Sequence, residues 1–138
     1  MLKYSVGLDV SSKDIHACIS AIDAEQRVRV ISSKIINNTS KGFEILITWI
    51  EKNREHKDLP VVIGMEATGI YHEECAYYLY DKKYSVCVVL PNYAKKFLQA
   101  SGLKSKNDKI DAKGLAQMFA ERAFALWAPM DKFYYHLR

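Results

Sequence analysis

The sequence predicts an α/β fold on a mixed sheet, with three antiparallel strands first and strand–helix units after them. Three observations carry this. Residues 4–10 alternate, with Tyr4, Val6, Leu8 and Val10 on one face and Ser5, Gly7 and Asp9 on the other, which is strand periodicity. Strand-like segments 15–22 and 27–36 follow at once, separated only by short turns at 11–13 and 23–26, as in an antiparallel meander. Beyond residue 42 helical and strand patterns alternate, and residues 84–90 are almost wholly apolar, as in a strand covered on both faces.

Residues 37–42 are rich in turn and capping types, and Phe43, Leu46, Ile47 and Ile50 then recur at helical spacing. After a polar loop at 53–58, Pro60 opens a fourth strand, 61–66. Thr68 is placed to cap a helix carrying Tyr71, Cys75, Tyr78 and Leu79 on its core face. Tyr77 and Tyr80 fall off that stripe and suit a partner interface. Pro91 can start the next helix and Gly102 can end it. Asn107 or Asp108 caps a last helix to about Phe124, and Trp127-Ala128-Pro129 breaks it. This order is that of the RNase H-like fold; a doubly wound flavodoxin-like sheet would alternate from the start. The division expected is a catalytic domain over 1–126 and the start of a linker over 127–138.

With 138 residues and 49% hydrophobic content the chain can build one real core, and disorder is excluded. The apolar run closing at Leu90 is too short to span a bilayer. The N-terminus lacks the long apolar centre and small-residue cleavage site of a signal peptide, so a cytoplasmic protein is expected. Cys18, Cys75 and Cys87 form no CxxC pair, which argues against a zinc site or a disulfide framework and makes Cys75 and Cys87 core fillers. Between Pro91 and Gly114, Lys95, Lys96, Lys104, Lys106, Lys109 and Lys113 stand against only Asp108 and Asp111. That window alone equals the chain's net charge of +4 and suits a polyanion.

The chemistry rests on carboxylates. Asp9 ends the first strand on a face with Ser5 and Gly7, and Glu66 ends the fourth on a face with Gly64. In this fold those strands are neighbours, and the small residues are read as room for an ion and a phosphate. Asp108 and Asp111, three apart, share a helical face that continues through Leu115, Met118 and Phe119, so they are expected along the core-facing stripe. At about 4 Å each like-charge pair costs on the order of 1–4 kcal/mol. Hard divalent cations such as Mg²⁺ or Mn²⁺ remove that cost. Two such ions activate a nucleophile and stabilise the leaving oxygen in phosphodiester transfer.

At these residues the chain resembles a known family. Gly7-Leu8-Asp9-Val10-Ser11, Gly64-Met65-Glu66-Ala67-Thr68-Gly69-Ile70-Tyr71 and Asn107-Asp108-Lys109-Ile110-Asp111-Ala112-Lys113 look like the three blocks of the DEDD transposases of insertion sequence one-ten. Their N-terminal domain is similar to RuvC Holliday-junction resolvases. The resemblance implies a transposase or site-specific recombinase with Asp9, Glu66, Asp108 and Asp111 as ligands for Mg²⁺ or Mn²⁺, two ions in all. It implies DNA as substrate, a homo-oligomer, and in some members a structured bridge RNA; the lysine window would contact that RNA or DNA. The family continues into a C-terminal domain bearing a serine nucleophile, so this chain is expected to be the N-terminal domain alone. Ser11 and Ser12 read as turn residues, not as that serine.

Two other classes fit parts of the pattern. An actin-like or sugar-kinase-like ATPase domain shares the sheet order, but its phosphate-binding turn is glycine-rich and it has no use for Asp108 and Asp111. A non-catalytic RNA-binding module would keep its function without the acids. His72 reads as a helix-surface histidine, and Tyr71 as core packing.

Overall fold

A computed structural model describes residues 2–100 and 110–128. The elements run β1 (Lys3–Val10), β2 (Asp14–Ile22), β3 (Val28–Asn37), α1 (Ser40–Asn53), β4 (Val61–Glu66), α2 (Glu73–Asp81), β5 (Ser85–Val89), α3 (Pro91–Ala100) and α4 (Ala112–Glu121). One five-stranded sheet has the order β3-β2-β1-β4-β5. β2 is antiparallel to both β1 and β3, whereas β4 runs parallel to β1 and β5 parallel to β4. The predicted meander and strand–helix units are both present. Among the described residues no helix is long and apolar enough to cross a membrane.

Helices cover both faces of the sheet. Tyr4, Val6, Leu8 and Val10 of β1 pack with Phe43, Leu46 and Ile50 of α1 and with Cys75, Ala76 and Leu79 of α2. On the other face Cys87 of β5 joins Phe97 of α3, Ile110, and Leu115, Met118 and Phe119 of α4. Burying one large apolar side chain contributes about 1.5–3 kcal/mol. A helix cap contributes only about 1 kcal/mol. Packing therefore decides where the helices lie, and the caps decide where they start.

α4 lies directly on β1. Lys3 Nζ donates to the Phe119 carbonyl at 3.0 Å, and buried Ser5 Oγ donates to the Ala116 carbonyl at 2.7 Å. A Cβ on Gly7 would overlap the Ala112 carbonyl and the Ala116 nitrogen, and one on Gly64 would overlap the Phe119 ring. The small residues of this face make room for α4, for its backbone at Gly7 and for the Phe119 ring at Gly64, not for an ion and a phosphate as the sequence suggested.

Two other elements depart from expectation. Thr68 does not cap α2, which starts at Glu73 with His72 as its N-cap residue. Between β4 and α2 the chain turns through Gly69 at φ +66°, with Tyr71 N–H donating to the Thr68 carbonyl and Glu73 N–H to the Ile70 carbonyl. Tyr71 thus precedes the helix and is 50% exposed, not packed in the core. Tyr77 and Tyr80 meet a segment of their own chain. Trp127 N–H donates to the Val86 carbonyl at 2.7 Å, and its ring packs edge-on against Tyr77 and Tyr80 with centroids 5.2 and 6.0 Å away.

Candidate active site

β1 and β4 pair in parallel from Tyr4–Val61 to Leu8–Met65. Carrying that register one residue further sets Asp9 beside Glu66 at the carboxyl ends of adjacent strands. Glu66 is only 8% exposed, and Asp9 is half-buried. Both occupy the sheet face that α4 covers, because each lies two residues beyond a glycine that touches α4. Along β1 the contacts with α4 run from Lys3–Phe119 through Ser5–Ala116 to Gly7–Ala112. The helix is therefore antiparallel to the strand. One strand step past Gly7 is Asp9, and one residue before Ala112 is Asp111.

Asp111 is the N-cap of α4, with φ −100° and ψ −177°, and its Oδ1 accepts the Gly114 N–H at 2.8 Å. It is exposed, not aligned with the buried stripe as the helical spacing predicted. The physical reason is that a short acidic side chain satisfies a free N–H best from the cap position, outside the helix. Leu115, Met118 and Phe119 do form the buried stripe. Asp108 lies outside the described residues, as do Lys104, Lys106 and Lys109. Among the described residues no three His, Cys, Asp or Glu side chains converge closely enough to hold a metal ion. Asp9 and Glu66 are the two that the strand register brings together. Lys95 and Lys96 are exposed on α3, and Lys113 is exposed on the first turn of α4.

Three further residues stand at this edge. His16 is directly across from Asp9 in the β1–β2 ladder, and its Nε2 is 3.9 Å from Asp14 Oδ1. His72 is 8% exposed, not on the helix surface, and its Nδ1 accepts the Thr68 N–H at 3.0 Å. Asn38 Nδ2 donates to the Ser11 carbonyl at 2.8 Å and to the Tyr71 carbonyl at 3.0 Å. No sequence periodicity could have found Asn38, because its partners lie 27 and 33 residues away.

A family model described as a transposase matches residues 6–138. The pilin gene-inverting proteins of Moraxella bovis and Moraxella lacunata are 30% and 29% identical over 129 residues, which is 94% of this chain. The chain spans 38% of the length of each of these relatives. Among solved structures, Thermus thermophilus RuvC superposes with a TM-score of 0.58 at 10% identity, covering 85% of this chain and 93% of that one. The fowlpox virus Holliday junction resolvase gives 0.52 at 13% identity, covering 86% and 98%. At such identities the likeness is one of fold, and the fold is RNase H-like.

Proposed function

We propose a function from one premise: the chain belongs to the DEDD transposase family of insertion sequence one-ten. It is the part of a transposase or site-specific recombinase that cleaves and transfers DNA strands. The observation that carries this reading is the alignment of Asp9 with Glu66 at the carboxyl ends of two parallel strands, beside the start of the helix that Asp111 caps. The names of similar proteins support it: the two Moraxella relatives are pilin gene-inverting proteins, and the fowlpox virus protein of the same fold is a Holliday junction resolvase.

A hard, all-oxygen donor set fits Mg²⁺ or Mn²⁺. Asp9 and Glu66 would hold the metal, joined by Asp111 and by Asp108. When bound, such ions supply an activated nucleophile and a stabilised leaving oxygen. The chain's own residues hold the carboxylates. β1 and β4 fix the backbones of Asp9 and Glu66, and the helix dipole puts partial positive charge at the start of α4. Lys95, Lys96 and Lys113, with Lys104, Lys106 and Lys109, would lead a phosphate backbone toward that edge. Partners on this reading are DNA, a structured guide RNA and further copies of the whole protein, and the compartment is the cytoplasm. The linker would begin near residue 127 and lead into a further domain.

The test is metal-dependent thermal melting. Mn²⁺ should raise the melting temperature of the parent, since a ligand that binds only the folded state stabilises it. Asp9→Asn with Glu66→Gln should abolish the rise. Asp111→Asn separates two roles, because asparagine still caps a helix. It should keep the metal-free melting temperature and weaken the response to Mn²⁺. A full response in the Asp9, Glu66 double variant would overturn the assignment.

A further inference from the structure

The ladder between β1 and β4 ends at Leu8–Met65, one residue short of Asp9 and Glu66. Beyond that pair Asp9 is held by its ladder to β2 and Glu66 by its ladder to β5, while the register between β1 and β4 stops, so the loops that follow the two strands bear on how far apart the two carboxylates stand. We propose that Asn38 is a positioning residue that sets this spacing, an inference that rests on the metal-binding reading of Asp9 and Glu66.

Asn38 follows the last residue of β3, on the far side of β2 from β1. Its side-chain amide donates to the Ser11 carbonyl, two residues after Asp9, and to the Tyr71 carbonyl, five residues after Glu66. Its backbone N–H donates to the Lys13 carbonyl at 2.9 Å. A primary amide carries two N–H donors, which matches two carbonyl acceptors. Each loop is also closed within itself. Ser11 Oγ donates to Asp14 Oδ1 at 2.8 Å and accepts the Asp14 N–H at 3.2 Å, and His72 Nδ1 accepts from Thr68 N–H. Two internally closed loops joined through one amide keep a fixed relation; without the amide, each keeps its shape and that relation loosens. A metal site needs its ligands within about 0.5 Å of the productive geometry. Loosening that leaves the fold intact is therefore enough to weaken binding.

The experiment compares Mn²⁺ affinity with stability in the full chain. Calorimetric Mn²⁺ titrations and metal-free melts are run on the parent, Asn38→Ala, Asn38→Asp and Asn53→Ala. Asn38→Asp keeps the shape of the side chain and replaces the donor with an acceptor. Asn53 Nδ2 makes an ordinary amide–carbonyl bond to Trp49 at 2.8 Å inside α1, so its variant reports a purely structural loss. We expect Mn²⁺ affinity to fall at least tenfold in both Asn38 variants and to stay at the parent value in Asn53→Ala, even where that variant melts lower. Parent-like affinity in either folded Asn38 variant overturns the inference alone. A parent that binds no Mn²⁺ overturns the reading of Asp9 and Glu66, and this inference with it.

Discussion

Glu51 accepts hydrogen bonds from three side chains. Tyr84 Oη donates to Oε2 at 2.6 Å, Arg54 Nη1 donates to both oxygens at 3.0 and 3.2 Å, and Lys57 Nζ donates to Oε1 at 3.3 Å. Arg54 also donates to the Leu59 carbonyl at 2.7 Å, so the cluster ties the end of α1 to the loop that enters β4. Burial by itself raises the pKa of Glu51; the hydrogen bonds from Tyr84 and Arg54, the Arg54 charge and the Lys57 bond outweigh it and hold the pKa low. A carboxyl with a folded pKa below its unfolded value of about 4.3 stabilises the fold fully above that pH. The contribution is lost as pH falls through the lower, folded value. Glu51→Gln should therefore flatten the acid limb of stability, read from urea melts between about pH 3 and 6. Burial first, and then its bond to Glu51, push the Tyr84 pKa upward, so Tyr84 remains an O–H donor across the neutral range. Tyr84→Phe should cost about 1 kcal/mol and shift the acid limb toward higher pH. An acid limb unchanged in both variants would show that this cluster is a solvated surface pair.

At the scale of elements, the position of α4 depends on two glycines that differ in what faces them. A Cβ on Gly7 meets backbone atoms of α4, whereas a Cβ on Gly64 meets the Phe119 ring. A ring can turn, but a helix backbone must move as a unit. Gly7→Ala should cost about 3 kcal/mol and Gly64→Ala about 1 kcal/mol, the two ends of the overpacking range. Chemical denaturation would show the order, and equal losses would mean that α4 sits farther from the sheet than described. Much of the fold was legible in the sequence for a related reason. β1 through β5 were marked by period-two alternation, a continuous apolar run and turn residues, all of which act within a few residues. Asp9 and Glu66 were legible as charges ending apolar strands. What misled was a local pattern with two physical meanings. Gly7 and Gly64 signal close approach, and nothing nearby says that the approaching group is a helix. Asp111 fits a helical stripe by spacing but satisfies an N–H from outside the helix. Thr68 looks like a cap, but the chain makes a turn through Gly69 before α2 begins. Tyr77 and Tyr80 lie off the stripe because they hold Trp127, about 50 residues onward, a distance that no periodicity reaches.

Across the whole molecule, the described helices begin at the same edge of the sheet. β3, β4 and β5 run parallel to β1, so α1, α2 and α3 start at the edge where β1 ends, beside Asp9, and antiparallel α4 starts there too. Each N-terminus carries roughly half a positive charge. The dipole favours acids in the first turn, yet α1, α3 and α4 have none there, and only α2 does, with Glu73 and Glu74. Lys41 and Lys113 stand instead in the first turns of α1 and α4, both exposed. A lysine so placed costs about 0.3–1 kcal/mol against the dipole. On the proposed reading, a phosphate backbone lying along this edge would offset that cost. Lys41→Ala with Lys113→Ala should leave the metal-free protein as stable as the parent or more so. The same pair should weaken binding to branched DNA about equally across sequences. The log–log salt slope should flatten by about 1–2, since each lost phosphate contact removes about 0.7–0.9. Fluorescence anisotropy over a series of salt concentrations gives the slope, and melting gives the stability. A double variant that melts lower and keeps the parent slope would make these lysines structural and move the nucleic-acid surface away from the carboxylate edge.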